Sequence, residues 1–117
     1  MIQRHNPAFK GQIVNLLNLK KGLNFLDLTL GDGGHTQEAL EAGVNVVSFD
    51  VDPESIDRAK QFVGDSYLKS GQWHIENLNF NRINQVANKY PQFDAVIADL
   101  GTSQYQLEKT ERGFSYD

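Results

Sequence analysis

The segment that most constrains this chain is L-D-L-T-L-G-D-G-G-H, residues 26–35, where an apolar run stops abruptly at a cluster of glycines. Phe25, Leu26, Leu28 and Leu30 read as a buried strand. Gly31, Gly33 and Gly34 follow it, and a helix-like segment begins at His35. Glycine tolerates positive φ and has no Cβ, so a strand running through a glycine turn into a helix brings bare backbone amides up to a nucleotide-like ligand. Residues 44–50, V-N-V-V-S-F-D, form a second apolar strand that ends in a carboxylate. Together they read as the first half of a nucleotide-binding βαβ unit, with Asp50 placed to accept hydrogen bonds from a ribose.

The rest of the chain extends this alternation. Ile13, Leu16 and Leu17 repeat at helical spacing, which predicts a short amphipathic helix to about residue 19, ended by Lys20-Lys21-Gly22. The first strand is expected over 24–30, a helix over 35–42 and the second strand over 44–50. Asp52-Pro53-Glu54 is a helix start: the aspartate caps, proline fits the first helical position, and the glutamate suits the positive end of the dipole. Ile56, Ala59 and Val63 make the buried stripe of that helix, and Tyr67 extends it. A third strand is expected over 73–78, a helix marked by Ile83, Val86, Ala87 and Tyr90, and a fourth strand, F-D-A-V-I-A-D-L, over 93–100. Mostly apolar strands alternating with helices predict an α/β fold, Rossmann-like, with a parallel sheet and crossover helices.

With 117 residues there is room for one domain and about four strands, fewer than a complete doubly wound sheet has. The formal net charge of −4 argues against a chain that grips nucleic acid unaided, because phosphate contacts need clustered Lys and Arg. The absence of cysteine excludes disulfides, thiolate metal sites and cysteine nucleophiles, fits a reducing cytoplasm, and leaves no metal site expected. No apolar run approaches the ~20 residues of a membrane helix, and the amino terminus lacks the apolar core of a secretory signal.

Ligands of an open parallel sheet sit outside the carboxyl ends of its strands. The glycine turn, Asp50, Asn79-Phe80 and Asp99 all fall at that edge in this reading. Each has a bland alternative: a plain turn, a solvated carboxylate, a core aromatic, a turn-opening acid. Their convergence favours a shared ligand site. A dinucleotide fingerprint asks for G-x-G-x-x-G, but here the third position is Thr36, and Asp32 would put a negative charge inside a pyrophosphate cradle. S-adenosylmethionine suits the loop better. Its sulfonium and amino group welcome carboxylates, Asp50 can hold its ribose, and its adenine can lie against Phe80.

The motifs T-L-G-D-G-G-H (29–35), F-D-V-D-P (49–53), N-F (79–80), D-L-G-T-S (99–103), Q-L (106–107) and R-G-F-S (112–115) closely resemble the ribosomal RNA small subunit methyltransferase H family. The likeness runs from about His5 to Ser115. It implies a class I methyltransferase fold that binds S-adenosylmethionine and methylates the exocyclic amine of a decoding-centre cytidine in 16S rRNA. It also implies that Gly33, Gly34 and His35 contact the cofactor, that Asp50 holds its ribose, and that Phe80, Asp99 and Gln106 complete the pocket. Where the family has S-S-P-Q-L this chain has Ser103-Gln104-Tyr105-Gln106-Leu107. The family's chain is more than twice this long, so residues 1–117 are expected to be its amino-terminal, cofactor-binding portion.

Methyl transfer from a sulfonium depends mainly on placing the amine in line with the departing sulfur. Asp99, or carbonyls of the 99–103 loop, are the expected acceptors for the amine's hydrogens. Two other readings stand beside this one: a cofactor-binding or regulatory module without activity of its own, and a fragment of an NAD-dependent oxidoreductase. In the methyltransferase strand order 3-2-1-4-5-7-6 the fourth strand is central. As an edge it is expected to self-associate or to borrow a strand.

Overall fold

In the computed structural model the described residues are 12–98. They form a four-stranded, all-parallel sheet in the order β3-β2-β1-β4, with β1 Asn24–Asp27, β2 Asn45–Phe49, β3 Trp73–Glu76 and β4 Ala95–Ile97. The helices are α1 Ile13–Leu16, α2 Gly34–Glu41, α3 Pro53–Val63 and α4 Ser66–Ser70. Two short 3-10 segments, Phe80–Gln85 and Ala87–Lys89, lie between β3 and β4.

Strand alternation sends side chains to the two faces in turn, and both faces are covered. Phe25 and Val46 join Ile13, Leu30, Ala39, Leu40, Ile56, Ala59 and Trp73 in the core beneath α1, α2 and α3. Leu26 and Val47 point the other way, into a second core with Phe49, Ile83 and Val86 under the 3-10 segments. The register pairs Asp27 with Ser48 and Ser48 with Ile75, so three carboxyl-terminal strand ends finish close together.

The expected alternation is present, with four corrections. The first helix is only 13–16, because Asn18 reverses the chain at φ +55°. Strand one regularly pairs only to Asp27: the Asp27 carboxylate accepts from the Thr29 amide at 3.1 Å and bends the chain after Leu28. Gly64, at φ +88°, ends α3 before Tyr67, which belongs to the separate α4. The segment expected as a helix over 83–90 is two 3-10 turns. Asn79 caps through its side chain onto the Asn81 amide, Arg82 leaves helical geometry, and the Ile83/Val86 spacing of three serves a 3-10 turn as well as an α-helix. Residues 99 and 100, assigned to the fourth strand, lie outside the described residues.

Candidate functional site

The carboxyl tips of β1 and β2 are tied to each other by Asp50. Its Oδ2 accepts from the Gly31 amide at 2.9 Å, and its Oδ1 accepts from the Asp52 amide at 2.9 Å. The backbone between them is laced as well: Leu30 N–H donates to Phe49 O at 2.9 Å, and Asp50 N–H donates to Glu76 O at 3.1 Å. Asn77 adds a third strand tip, its Nδ2 donating to Asp50 O at 3.0 Å. Asp50 is half-buried. A carboxylate has about four lone-pair positions. The two amides leave each oxygen one more acceptor position, so Asp50 can hold the turn and a ligand hydroxyl at once.

The glycine turn is built by local geometry. Gly33 caps α2 at φ +96°, donates to Leu30 O at 2.8 Å and accepts from Gln37 N–H at 2.8 Å. A Cβ on Gly33 would lie 3.0 Å from Val63 Cγ2 and 3.3 Å from Ala59 Cβ, so α2 packs on α3 at a separation only glycine permits. Gly34 is the first residue of α2 and His35 the second. The His35 side chain is buried, at 4% exposure, rather than standing in solvent at the helix start. Asp52 caps α3 by accepting from the Glu54 amide at 2.9 Å, with Pro53 in the first turn as its sequence predicts.

Thus Gly33, Gly34, His35 and Asp50 fall at one edge of the sheet. Phe80 opens the first 3-10 segment, just beyond the end of β3; the position of its side chain lies outside the description. Asp99 and Gln106 lie outside the described residues. Among the described residues no group of three His, Asp or Glu side chains is arranged to hold a metal ion.

Sequence reasoning passed over several residues here. Val51, next to Asp50, exposes 59% of its surface at the carboxyl edge of the sheet, an apolar side chain where a solvent loop would carry a polar one. The F-D-V-D pattern around the acid was its only signal. Asn77, inside the segment expected as the third strand, anchors the Asp50 backbone. Glu76, the last residue of β3, accepts from the Tyr90 hydroxyl and from Lys89 Nζ at 2.8 Å, and so fastens the 3-10 segments to the sheet. Burial opposes ionisation of Glu76, but the Lys89 and Tyr90 hydrogen bonds and the Lys89 charge outweigh it and hold its carboxyl below the usual value. Burial, then the Glu76 hydrogen bond and charge, push the Tyr90 hydroxyl above its ordinary range.

A groove of about 180 Å³ lies at the opposite, amino end of the strands, lined by Asn24, Asn45, Gln72, His74, Tyr90 and Phe93 among others. Its amides are already engaged: Asn24 with Gln92 O, Asn45 with Asn24 Oδ1, and Gln72 with Leu40 O and Val44 O. The side-chain amides of the groove are thus already bonded, whereas at the carboxyl edge Asp50 keeps acceptor positions open beside the glycine turn.

Comparison with known proteins gives the lineage of the chain. Ribosomal RNA small subunit methyltransferase H 1 from Agathobacter rectalis is 35% identical over 115 residues, which is 96% of this chain and 33% of that protein. Ribosomal RNA small subunit methyltransferase H from Mycoplasma pneumoniae is 36% identical over 118 residues, 97% of this chain and 37% of that protein. The chain thus spans about a third of the length of the curated relatives it matches. An rRNA methylase from Streptococcus thermophilus shares the fold with a TM-score of 0.65 at 20% identity, over 95% of this chain and 64% of that one. The model of the MraW methylase family matches residues 2–117, and the chain belongs to that family.

Proposed function

We propose that this chain is the cofactor-binding part of an S-adenosylmethionine-dependent methyltransferase acting on the exocyclic amine of a cytidine in 16S rRNA. The observation that carries the reading is the 2.9 Å bond from the Gly31 amide to Asp50, which makes one edge of two strand tips in a chain of methylase lineage. The lining chemistry supports the ligand. Residues 28–36 contain no Lys or Arg, and Asp32 stands between Gly31 and Gly33. Such a turn is poor for a pyrophosphate and good for a sulfonium with an ammonium-bearing tail.

In this reading the free lone pairs of Asp50 take the ribose diol. The turn through Gly33, Gly34 and His35 receives the amino-acid end. Val51 and Phe80 offer apolar surface to the adenine, and Asp99 and Gln106 complete the pocket. When bound, the cofactor supplies an electrophilic methyl group on its sulfonium. The chain's own contribution is orientation: rigid strand tips hold the donor while the amine approaches in line. A cytosine amine is a weak nucleophile because its lone pair is delocalised into the ring. Asp99 is assigned to accept from its N–H as charge develops, with the base turned out into the pocket.

The test is transfer of a labelled methyl group into 30S particles by the full-length protein. Incorporation at a cytidine N4 of 16S rRNA, lost in Asp99→Ala, is expected. Incorporation indifferent to that substitution removes Asp99 from the chemistry. Cofactor binding without incorporation into any RNA would leave a binding module in place of an enzyme.

The net charge of −4 supports a division of labour in which other parts of the full-length protein hold the RNA. Among the described residues no helix is long and apolar enough to cross a membrane, and a ribosomal substrate would place the protein in the cytoplasm. β4 has one strand neighbour, β1, among the described residues. Its other edge is proposed to take a further strand, from elsewhere in the full-length protein or from a second copy. Light scattering of residues 1–117 tests the second source: a monodisperse monomer excludes it.

A further inference from the structure

Four polar side chains are buried in the core beneath α2, where apolar ones would be expected. Asp27, Thr36 and Ser48 have no exposed surface, and Trp73 has 1%. They form one hydrogen-bonded chain: Trp73 Nε1 to Ser48 Oγ at 3.0 Å, Ser48 Oγ to Thr36 Oγ1 at 2.7 Å, and Thr36 Oγ1 to Asp27 Oδ2 at 2.8 Å. Its direction is fixed at both ends. The indole can only donate, and Thr36 gives its single proton to Asp27, so Ser48 must donate to Thr36. The chain crosses β3, β2 and α2 and ends on β1, the four elements whose ends build the candidate site.

The terminal carboxylate sits under the glycine turn and holds both of its ends. Asp27 Oδ1 accepts from the Thr29 amide at 3.1 Å, before Gly31, and Oδ2 accepts from Thr36, after Gly34. Polar groups buried at this depth add little net stability over apolar ones of the same shape. A fully buried carboxylate keeps its charge only while donors point at it. The relay thus places a carboxyl group, rather than an apolar side chain, beneath a turn whose proposed ligand is cationic.

We infer that Thr36, oriented by Ser48 and Trp73, is a positioning residue that keeps the Asp27 carboxylate charged under the turn, and that this charge favours the sulfonium substrate over its neutral thioether product. The inference rests on the proposed S-adenosylmethionine site. It concerns selectivity between two ligands that differ by one methyl group and one positive charge. A network with a purely structural role would affect both ligands alike.

The experiment is calorimetric titration of the full chain, wild type, Thr36→Val and Thr36→Ser, with S-adenosylmethionine and separately with S-adenosylhomocysteine, alongside thermal unfolding. Loss of a charge-assisted hydrogen bond corresponds to roughly 10-fold or more in affinity. Thr36→Val is expected to lose that much for the sulfonium and less than about 3-fold for the thioether, with Thr36→Ser restoring the wild-type ratio. Equal weakening of both ligands, or no change in either, overturns the inference while leaving the binding site intact. A wild-type chain that binds neither ligand overturns the proposed site and this inference with it. If Thr36→Val does not fold, Ser48→Ala and the isosteric Asp27→Asn carry the same comparison. Asp27→Asn removes the charge outright and must show the full shift in ratio.

Discussion

Replacing Gly33 with alanine would strike the turn and the α2–α3 packing together, and the structure allows its cost to be worked out. At φ +96° an L-residue is strained by about 1–2 kcal/mol. The new methyl would stand 3.0 Å from Val63 Cγ2 and 3.3 Å from Ala59 Cβ, so the helices must separate by a few tenths of an ångström. Mild overpacking of that kind costs about 1–2 kcal/mol more. The sum, about 2–4 kcal/mol, corresponds to a fall in Tm of roughly 10–20 °C for a domain of this size. Urea unfolding of Gly33→Ala, Val63→Ala and the double variant separates the two parts. Val63→Ala removes the offending Cγ2, so in that background Gly33→Ala should cost about 1 kcal/mol less, while the backbone strain persists. A Gly33→Ala cost below about 0.5 kcal/mol, or no coupling to Val63, would refute the close approach of α2 to α3.

Two further outcomes follow from the site. Glu76 has a folded pKa below its ordinary value, so the unfolded chain binds its proton first as pH falls. Its contribution to stability is present above that ordinary value and disappears as pH drops through the folded one. The stability difference between wild type and Glu76→Gln should therefore be larger at pH 7 than at pH 3 in urea titrations, and an equal difference at both would contradict the assignment. Val51→Asp should leave stability within about 0.5 kcal/mol, since the side chain is exposed, yet weaken cofactor binding in calorimetry. Unchanged affinity would remove Val51 from the site.

What was legible in the sequence was what local chemistry determines. Asp52-Pro53-Glu54 announces a helix start because a cap, a fixed φ and a dipole contact all lie within three residues, and the structure has each of them. The glycine turn and Asp50 were legible for a related reason: an apolar strand ending in glycine or in a carboxylate declares its carboxyl tip without reference to distant residues. The two 3-10 segments were not, because Ile83 and Val86 bury one face under either helical geometry and the decision rests on the Asn79 cap and the Arg82 backbone. Nor was the break at Gly64, since Tyr67 and Leu68 continue the apolar pattern in a helix of their own. The Trp73–Ser48–Thr36–Asp27 chain was least legible of all. Asp27 and Ser48 become neighbours only through the register of β1 on β2, and Thr36 reaches them only once α2 is folded back over that pair. A serine in V-V-S-F and an aspartate in L-D-L look in isolation like surface positions of half-exposed strands, whereas both are fully buried.

The central claim is that the strand-tip amides and Asp50 together hold S-adenosylmethionine, and the most direct measurement is calorimetry of the full chain with that ligand and with NAD, for wild type and Asp50→Ala. The account predicts saturable binding of S-adenosylmethionine by wild type, at least about 10-fold weaker binding by Asp50→Ala after loss of a charged acceptor, and no heat with NAD. Tight binding of NAD without S-adenosylmethionine, or an Asp50→Ala chain that binds S-adenosylmethionine as well as wild type, would contradict it.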